Sequence, residues 1–357
     1  MKVKTKDRLR LFLMSIVYWI LASFAYHILR RIGIGAEIGL EVVSPMSKFE
    51  GFRVAFIIGM IMGILYGVLE ILFENAWLQR KSLGAQLAIK TIVYFFLLGF
   101  VINIAINYVN LVIVSSTILS KELIIKTGAI WSVTLFFILS SSFYSFLRLV
   151  NEKFGPGILM DMILGRYRSP RIEKKIFMFI DLKSSTTLAE EMGYLKYSAL
   201  IQQCFYDLNE IVRKFEGQIY QYVGDEAVIS WDYLKGVKEN KCIDCYFEFQ
   251  RKLFDRKGYY EKEFGILPVF KAGLHGGELV VTEVGVVKKE IAYHGDVINT
   301  TARIQDQCNN LGEHLLISGE LFKDLPLHQK YLPFHLGEVL LKGKEVPVQL
   351  HSIKAMW

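Results

Sequence analysis

"IFMFIDLKSSTTLAEEMG", residues 176–193, is the stretch on which the reading of this chain turns. An apolar run that suits a buried strand ends on an acid, Asp181, and a lysine and four hydroxyl residues follow before a helical pattern begins. A second acid, Asp225, sits in the Gly-Asp turn of "QIYQYVGDEAVISW" (218–231), which reads as two short strands. A hairpin laid beside the first strand would bring both carboxylates to one sheet edge. Two acids held that close repel unless a cation lies between them, and an all-oxygen ligand set suits Mg²⁺ or Mn²⁺. The amides and hydroxyls of Lys183, Ser184, Ser185, Thr186 and Thr187, at a strand-to-helix junction, are placed to cradle phosphates. Taken singly, a strand-end Asp before Ser/Thr is also an ordinary helix N-cap, and Gly-Asp an ordinary hairpin turn. Their order along the chain makes them specific.

Working outward, the region from 175 onward alternates strands and helices. "SALIQQCFYDLNEIVRKFEG" (198–217) has helical spacing with Gly217 as its stop. "VFKAGLHGGELVVTEVG" (269–285) reads as a hairpin turning at Gly276-Gly277, "DVINTTARIQDQCNN" (296–310) as a helix, and "EVLLKGKEVPVQLHSI" (338–353) as a last strand pair. Hairpins interrupt the alternation, so a mixed sheet is expected rather than a doubly wound one. The four cysteines, Cys204, Cys242, Cys245 and Cys308, all fall here. The C-x-x-C of "CIDC" lies in a helical pattern with no second pair, and reduced thiols are expected.

The other half is of a different kind. The 357 residues are 52% apolar, with a mean hydropathy of +0.32, too apolar for an ordinary soluble chain. Residues 11–29, 54–69, 91–120 and 127–147 contain no charge. Four transmembrane helices are expected, at about 11–31, 54–74, 88–110 and 128–149, with the third uncertain in extent. Residues 1–150 hold 15 Lys/Arg against 7 Asp/Glu, whereas residues 151–357 hold 27 against 28. The basic pI thus belongs to the membrane half, and the soluble half carries no basic excess to suggest nucleic acid. The start, "MKVKTKDRLR" before a long apolar run without an A-x-A-like site, reads as a retained first span. His27, Glu70 and Lys90 are ionisable residues near span ends, where snorkelling would suffice. Residues 151–174 form a linker in which the short apolar patch "ILMDMIL" lies between the breaks "GPG" and "SP".

Over roughly residues 172–356 the sequence resembles the class III nucleotide cyclase catalytic domain, membrane-anchored bacterial members above all. "FMFIDLKSSTTLAE", "IYQYVGDEAVISW", "KAGLHGGELVVTEVG", "YHGDVINTTARI" and "LLKGKEVPVQLHSI" carry the resemblance, in that order. It implies an α+β, ferredoxin-like βαββαβ core with a mixed, mostly antiparallel sheet; the α-helical transmembrane bundle of four spans is expected from the uncharged runs alone. The expected domains are a membrane domain over 1–150 and the linker over 151–174, read from the apolar runs and the chain breaks, and the catalytic domain over 175–357, which the resemblance implies to be cytosolic, at the cell inner (plasma) membrane. It further implies a head-to-tail homodimer and two Mg²⁺ or Mn²⁺ ions, held by Asp181, Asp225 and the backbone carbonyl of Leu182. Asn299 matches the asparagine that orients the ribose, and Arg303 the arginine that steadies transition-state charge. Lys342, or less closely Lys344, matches the lysine that contacts the terminal phosphates. The positions that read the purine hold Gln221 and Ala292, which fit neither the adenylate nor the guanylate pattern. Gln presents both a donor and an acceptor, and Ala292 presents neither. The function expected is conversion of ATP to 3′,5′-cyclic AMP and pyrophosphate. A guanylate or dual-specificity cyclase using GTP is the alternative, and a catalytically silent membrane receptor that binds nucleotide is a second one.

Overall fold

The computed structural model describes residues 2–33, 48–73, 83–112, 129–154, 161, 164–287, 289–327 and 331–356. The chain divides into two compact units, residues 1–153 and 154–357. The "GPG" break and most of the apolar patch of the linker lie outside the described residues, as do 34–47, 74–82 and 113–128.

Among the described residues the first unit has four helices, α1 (Lys2–Gly33), α2 (Lys48–Phe73), α3 (Leu83–Val112) and α4 (Ala129–Phe154). Arg8–Leu29, Gly51–Phe73 and Gly84–Val101 are long and apolar enough to cross a membrane; the apolar stretch of α4, Ser132–Arg148, is shorter. A small residue every fourth position (Gly51, Ala55, Gly59, Gly63, Gly67) lines one side of α2. A Cβ on Gly59 would lie 2.7 Å from the Cα of Ile20, and one on Gly67 2.6 Å from Phe12 Cδ2. The two backbones therefore touch, and Ser15 Oγ donates to the carbonyl of Gly63 at 3.1 Å. Gly63→Leu is expected to force α1 and α2 apart and destabilise the bundle by about 1–3 kcal/mol. Gly99→Leu, with open space at its Cβ position, is the control. Unfolding of the purified protein in detergent checks it, and equal stability of the two variants would refute the close packing.

The interior of this unit is aromatic, with Trp19–Tyr66 rings 4.6 Å apart, Trp19–Phe137 5.0 Å and Tyr66–Tyr94 4.0 Å. Glu70 does not snorkel. It is 2% exposed, accepts from Lys90 Nζ at 3.0 Å and from Tyr94 Oη at 2.5 Å, and has Arg148 Nη2 at 3.7 Å. One carboxylate thus joins α2, α3 and α4, because a charge in an apolar surround is tolerated only when paired.

The second unit is built on one sheet. Its elements are β1 (Arg171–Leu182), α5 (Ser185–Met192), α6 (Tyr194–Lys214), β2 (Gln218–Val223), β3 (Glu226–Asp232), α7 (Tyr233–Val237), α8 (Lys241–Asp255), α9 (Lys257–Phe264), β4 (Phe270–Val284), β5 (Glu290–His294), α10 (Asp296–Leu311), β6 (Leu315–Ser318), α11 (Gly319–Asp324), β7 (Tyr331–Val339) and β8 (Val348–Ala355). The strand order is β2-β3-β1-β4-β6-β8-β7, with β5 paired to β4. Among the described residues only the β4–β6 pairing is parallel, so the sheet is mixed and mostly antiparallel, and its β2-β3-β1-β4 half has the ferredoxin-like order. Alternation sorts β1 cleanly. Ile176, Met178, Ile180 and Leu182 pack with Leu200, Cys204 and Leu208 of α6 and Cys245 and Phe249 of α8. Phe177 and Phe179 face the other way, in a cluster with Val297 and Ala302 of α10.

Two expectations about glycine fail. Gly276-Gly277 is not a turn, because β4 runs straight through it and pairs with β1 from Phe270 to Val281. A Cβ on Gly276 would lie 2.7 Å from Tyr233 Cε2, and one on Gly277 2.9 Å from Val297 Cγ2. These glycines admit neighbouring side chains rather than bend the chain. Likewise α6 stops at Lys214, and the left-handed residue after it is Glu216 (φ 57°), while Gly217 makes room for the indole of Trp231. The last strand pair is present, but β7 lies mostly upstream of the stretch expected to hold it. All four cysteines are buried and free, Cys242 and Cys245 within α8, and burial pushes the Cys242 thiol up to about 12.

Candidate active site

Asp181 continues the Phe177–Phe179 parity and so turns toward α10. On β3, Glu226 is its register partner, which puts Asp225, one residue earlier in the turn, beside it. That turn needs Gly224, whose φ is +62°. The structure brings Asp181 and Asp225 within hydrogen-bonding reach of each other. Burial, then the Asp225 hydrogen bond, pushes the Asp181 carboxyl from the usual 3.8 up to about 6, against the pull of Lys271. Burial, then the charges of Asp181, Asp306 and Asp225, pushes Glu226 up to about 7. Opposing them, Lys271 Nζ stands 3.1 Å from Asp181 Oδ2, and Gln305 Nε2 donates to the same oxygen at 3.2 Å.

Asp225 Oδ2 is buried and without a hydrogen-bond partner. A buried acceptor beside further negative charge is costly unless a cation satisfies it. The side chains therefore fit a divalent ion. Among the described residues no three His, Cys, Asp or Glu side chains form a metal cluster. Two carboxylates suffice for Mg²⁺ or Mn²⁺ when phosphate oxygens and water complete the shell.

The raised carboxyls give a signed pH dependence. A carboxyl whose folded pKa exceeds its unfolded value binds its proton more tightly when folded, so stability falls as pH rises between the two values. With divalent cations chelated, wild type should lose thermal stability relative to Asp181→Asn as pH rises from about 4 to about 6, where Asp181 ionises. The difference should level off above that range. A difference that is flat across it would show that the pair is not strained.

The proposed phosphate loop is partly committed already. The Lys183 amide donates to the carbonyl of Val269 at 2.9 Å, so a cradle of free amides starts only at Ser184. Ser184 is left-handed (φ 58°) at the N-cap of α5 without a side-chain cap bond, and the Ser185 hydroxyl interacts with Tyr197. Lys183 and Thr186 are exposed, and Leu182 is buried in register with Phe270.

Asn299 and Arg303 lie on α10, the first exposed and the second half-buried. Gly343, in the turn between β7 and β8, sits against Arg303; a Cβ there would be 3.4 Å from Nη2. Lys342, beside it, is exposed, whereas Lys344 is paired with Asp296. Among the described residues no hydrogen bond or ion pair joins Asn299, Arg303 or Lys342 to either aspartate. Gln221 is exposed on β2 opposite Val228, and Ala292 lies on β5 opposite Thr282; their neighbours Tyr220 and Tyr293 have rings 4.7 Å apart. His275 is buried and bonded to Ser318 Oγ at 2.7 Å. Sequence reasoning missed Lys271, Gln305, Glu226, Asp306 and Tyr197. Lys271, the second residue of β4, and Gln305, two residues beyond Arg303, were visible only as ordinary polar positions.

Fold and site together define a class of protein. The chain belongs to the Adenylate and Guanylate cyclase catalytic domain family, which matches residues 168–355. It is 36% identical over 206 residues to Adenylate cyclase 2 of Rhizobium meliloti (strain 1021), a match covering 58% of this chain and 57% of the relative. With Adenylate cyclase 1 of the same strain it is 26% identical over 183 residues, 49% of this chain and 27% of that one. The chain thus spans little more than half of the one relative and about a quarter of the other. In fold it is similar to a solved bacterial light-regulated adenylyl cyclase, with a TM-score of 0.53 and 17% identity over 62% of this chain and 65% of that one.

Proposed function

We propose that this protein is a membrane-bound class III nucleotide cyclase that converts ATP to 3′,5′-cyclic AMP and pyrophosphate at sites shared between two subunits. One observation carries the reading: in a domain of this family, Asp181 and Asp225 are held together with a buried, unpartnered carboxylate oxygen. Asp181 and Asp225, with the Leu182 carbonyl, would hold the ions. When bound, two Mg²⁺ or Mn²⁺ ions would activate the ribose 3′-hydroxyl and neutralise phosphate charge. The protein's own groups do the rest. Amides from Ser184 to Thr186 and the ammonium of Lys342 bind phosphates, Asn299 orients the ribose, and the Arg303 guanidinium meets charge growing on the α-phosphate. Among the described residues no hydrogen bond or ion pair joins the carboxylates to Asn299 or Arg303 within one chain, which supports a head-to-tail homodimer in which each site takes one group from each subunit. The three long apolar helices, with α4 as a fourth span, form the proposed membrane anchor, and the catalytic unit is cytoplasmic.

Gln221 and Ala292 favour a second reading, in which GTP is also accepted, because an amide can turn either way to meet either purine edge. Gln221→Lys is expected to raise the ATP/GTP ratio of kcat/KM and Gln221→Glu to lower it, each by about tenfold. An unchanged ratio in both would show that Gln221 does not read the base.

The test of the function is product analysis after incubating the full-length protein separately with ATP and GTP. Absence of a cyclic product from either would leave the silent-receptor reading. Mixing Asp225→Ala with Arg303→Ala tests the shared site. Each variant alone is inactive, whereas each mixed dimer has one doubly damaged and one intact site. Random pairing should restore about a quarter of wild-type activity. Mixed dimers that are proven present yet inactive would remove the shared site.

A further inference from the structure

Helix α10 has two working faces. Asn299 and Arg303, four residues apart, lie on one. Gln305 follows Arg303 by two residues, about 200° around the helix, and is 3% exposed. It reaches Asp181, 124 residues earlier, because Gly273 lets the helix settle onto β4; a Cβ on Gly273 would lie 2.7 Å from the Gln305 Cα. Its Nε2 and the Nζ of Lys271 both engage Asp181 Oδ2. Two donors on one oxygen fix the carboxylate's rotation. They differ in kind: Lys271 is a charge that competes with any cation, whereas the Gln305 amide orients the carboxylate without opposing one.

We infer that Gln305 is a positioning residue for Asp181, so that α10 serves two sites at once: its inner face sets its own subunit's metal carboxylate, while Asn299 and Arg303 reach the partner subunit's nucleotide. This rests on the shared-site reading above. Groups that orient a metal ligand alter metal affinity or activity by about 10–100-fold when removed.

Mixed dimers test the assignment. Asp225→Ala with Arg303→Ala gives the reference recovery. When Gln305→Met is added to the Asp225→Ala chain, the surviving site takes its aspartates and Gln305 from the other chain, and recovery should be unchanged. When Gln305→Met is added to the Arg303→Ala chain, the surviving site keeps its aspartates but loses Gln305, and recovery should fall about tenfold. Full recovery in the first arm also shows that Gln305→Met folds and still presents Arg303. Equal loss in both arms would overturn the inference in favour of general damage to α10, and equal full recovery would overturn it outright. If the reference pair itself fails to recover, the shared site is wrong, and the second measurement judges Gln305 alone. That measurement is a titration of Mn²⁺ into full-length Gln305→Met protein followed by electron paramagnetic resonance. An affinity about tenfold below wild type is expected, and an unchanged affinity would overturn the positioning role.

Discussion

Asp181→Ala and Asp225→Ala are each expected to lower kcat by about a thousandfold or more, which is about 4 kcal/mol of transition-state stabilisation. The fold should survive. In the absence of a cation the two carboxylates oppose each other, and burial adds to the strain, as the upward shift of Asp181 records. Removing Asp225 relieves that strain, so at neutral pH chelated Asp225→Ala should be at least as thermally stable as wild type. Asp181→Ala also gives up the contacts to Lys271 and Gln305 and should fall no more than about 1–3 kcal/mol below wild type. Loss of activity with retained stability separates a site residue from a structural one. Steady-state turnover with Mg²⁺ or Mn²⁺, alongside a thermal melt in chelator, reads both. Turnover near the wild-type level in either variant would remove the metal assignment.

Glu70→Ala should destabilise the first unit by about 3–5 kcal/mol, because it strands two cations in an apolar bundle. Lys90 Nζ and Arg148 Nη2 lie 3.0 and 3.7 Å from the Glu70 carboxylate, and the Tyr94 hydroxyl loses its acceptor as well. Glu70→Gln should cost less, since the amide oxygen still accepts from Tyr94. Adding Lys90→Met to Glu70→Ala should recover part of the loss by removing one stranded charge. Unfolding in detergent or nanodiscs measures all three. A loss under about 1 kcal/mol for Glu70→Ala would place the cluster in water rather than inside the bundle. Arg148 lies six residues before the end of α4, where the second unit begins. Cyclase activity in the same preparations therefore reports whether the cluster does more than hold the helices together.

Local signals were legible in the chain, and they carried most of the catalytic fold. The β1 run with its terminal Asp181, the Gly224-Asp225 turn and the α10 spacing of Asn299 and Arg303 each follow from a period of 2 or 3.6 residues, or from a residue suited to one backbone angle. The mixed sheet follows because hairpins interrupt the strand–helix alternation. Glycine was misread at 276–277 and 217 because the same residue serves a tight turn and a close approach, and only a neighbour tells which. At 276 and 217 that neighbour is the ring of Tyr233 or Trp231, and at 277 it is Val297. The small-residue stripe of α2 was there to be read, but its partner, α1, could not be chosen from spacing alone.

The sequence by itself determined the division into an apolar helical half and an α/β half, the strand end and the turn that carry Asp181 and Asp225, and the family. These depend on composition, on local periodicity and on ordered motifs, all of which survive without a third dimension. Tertiary structure alone decided which polar side chains meet. Gln305 and Lys271 reach Asp181 across 124 and 90 residues of chain, and Glu70 is paired inside the bundle rather than directed toward solvent. Such pairings are set by the packing of whole elements, by Gly273 under α10 and by the helix faces that α2, α3 and α4 turn to one another. A linear pattern specifies the face of an element but not its neighbour, so the residues that tune the carboxylates emerged only when the sheet and its helices were in place.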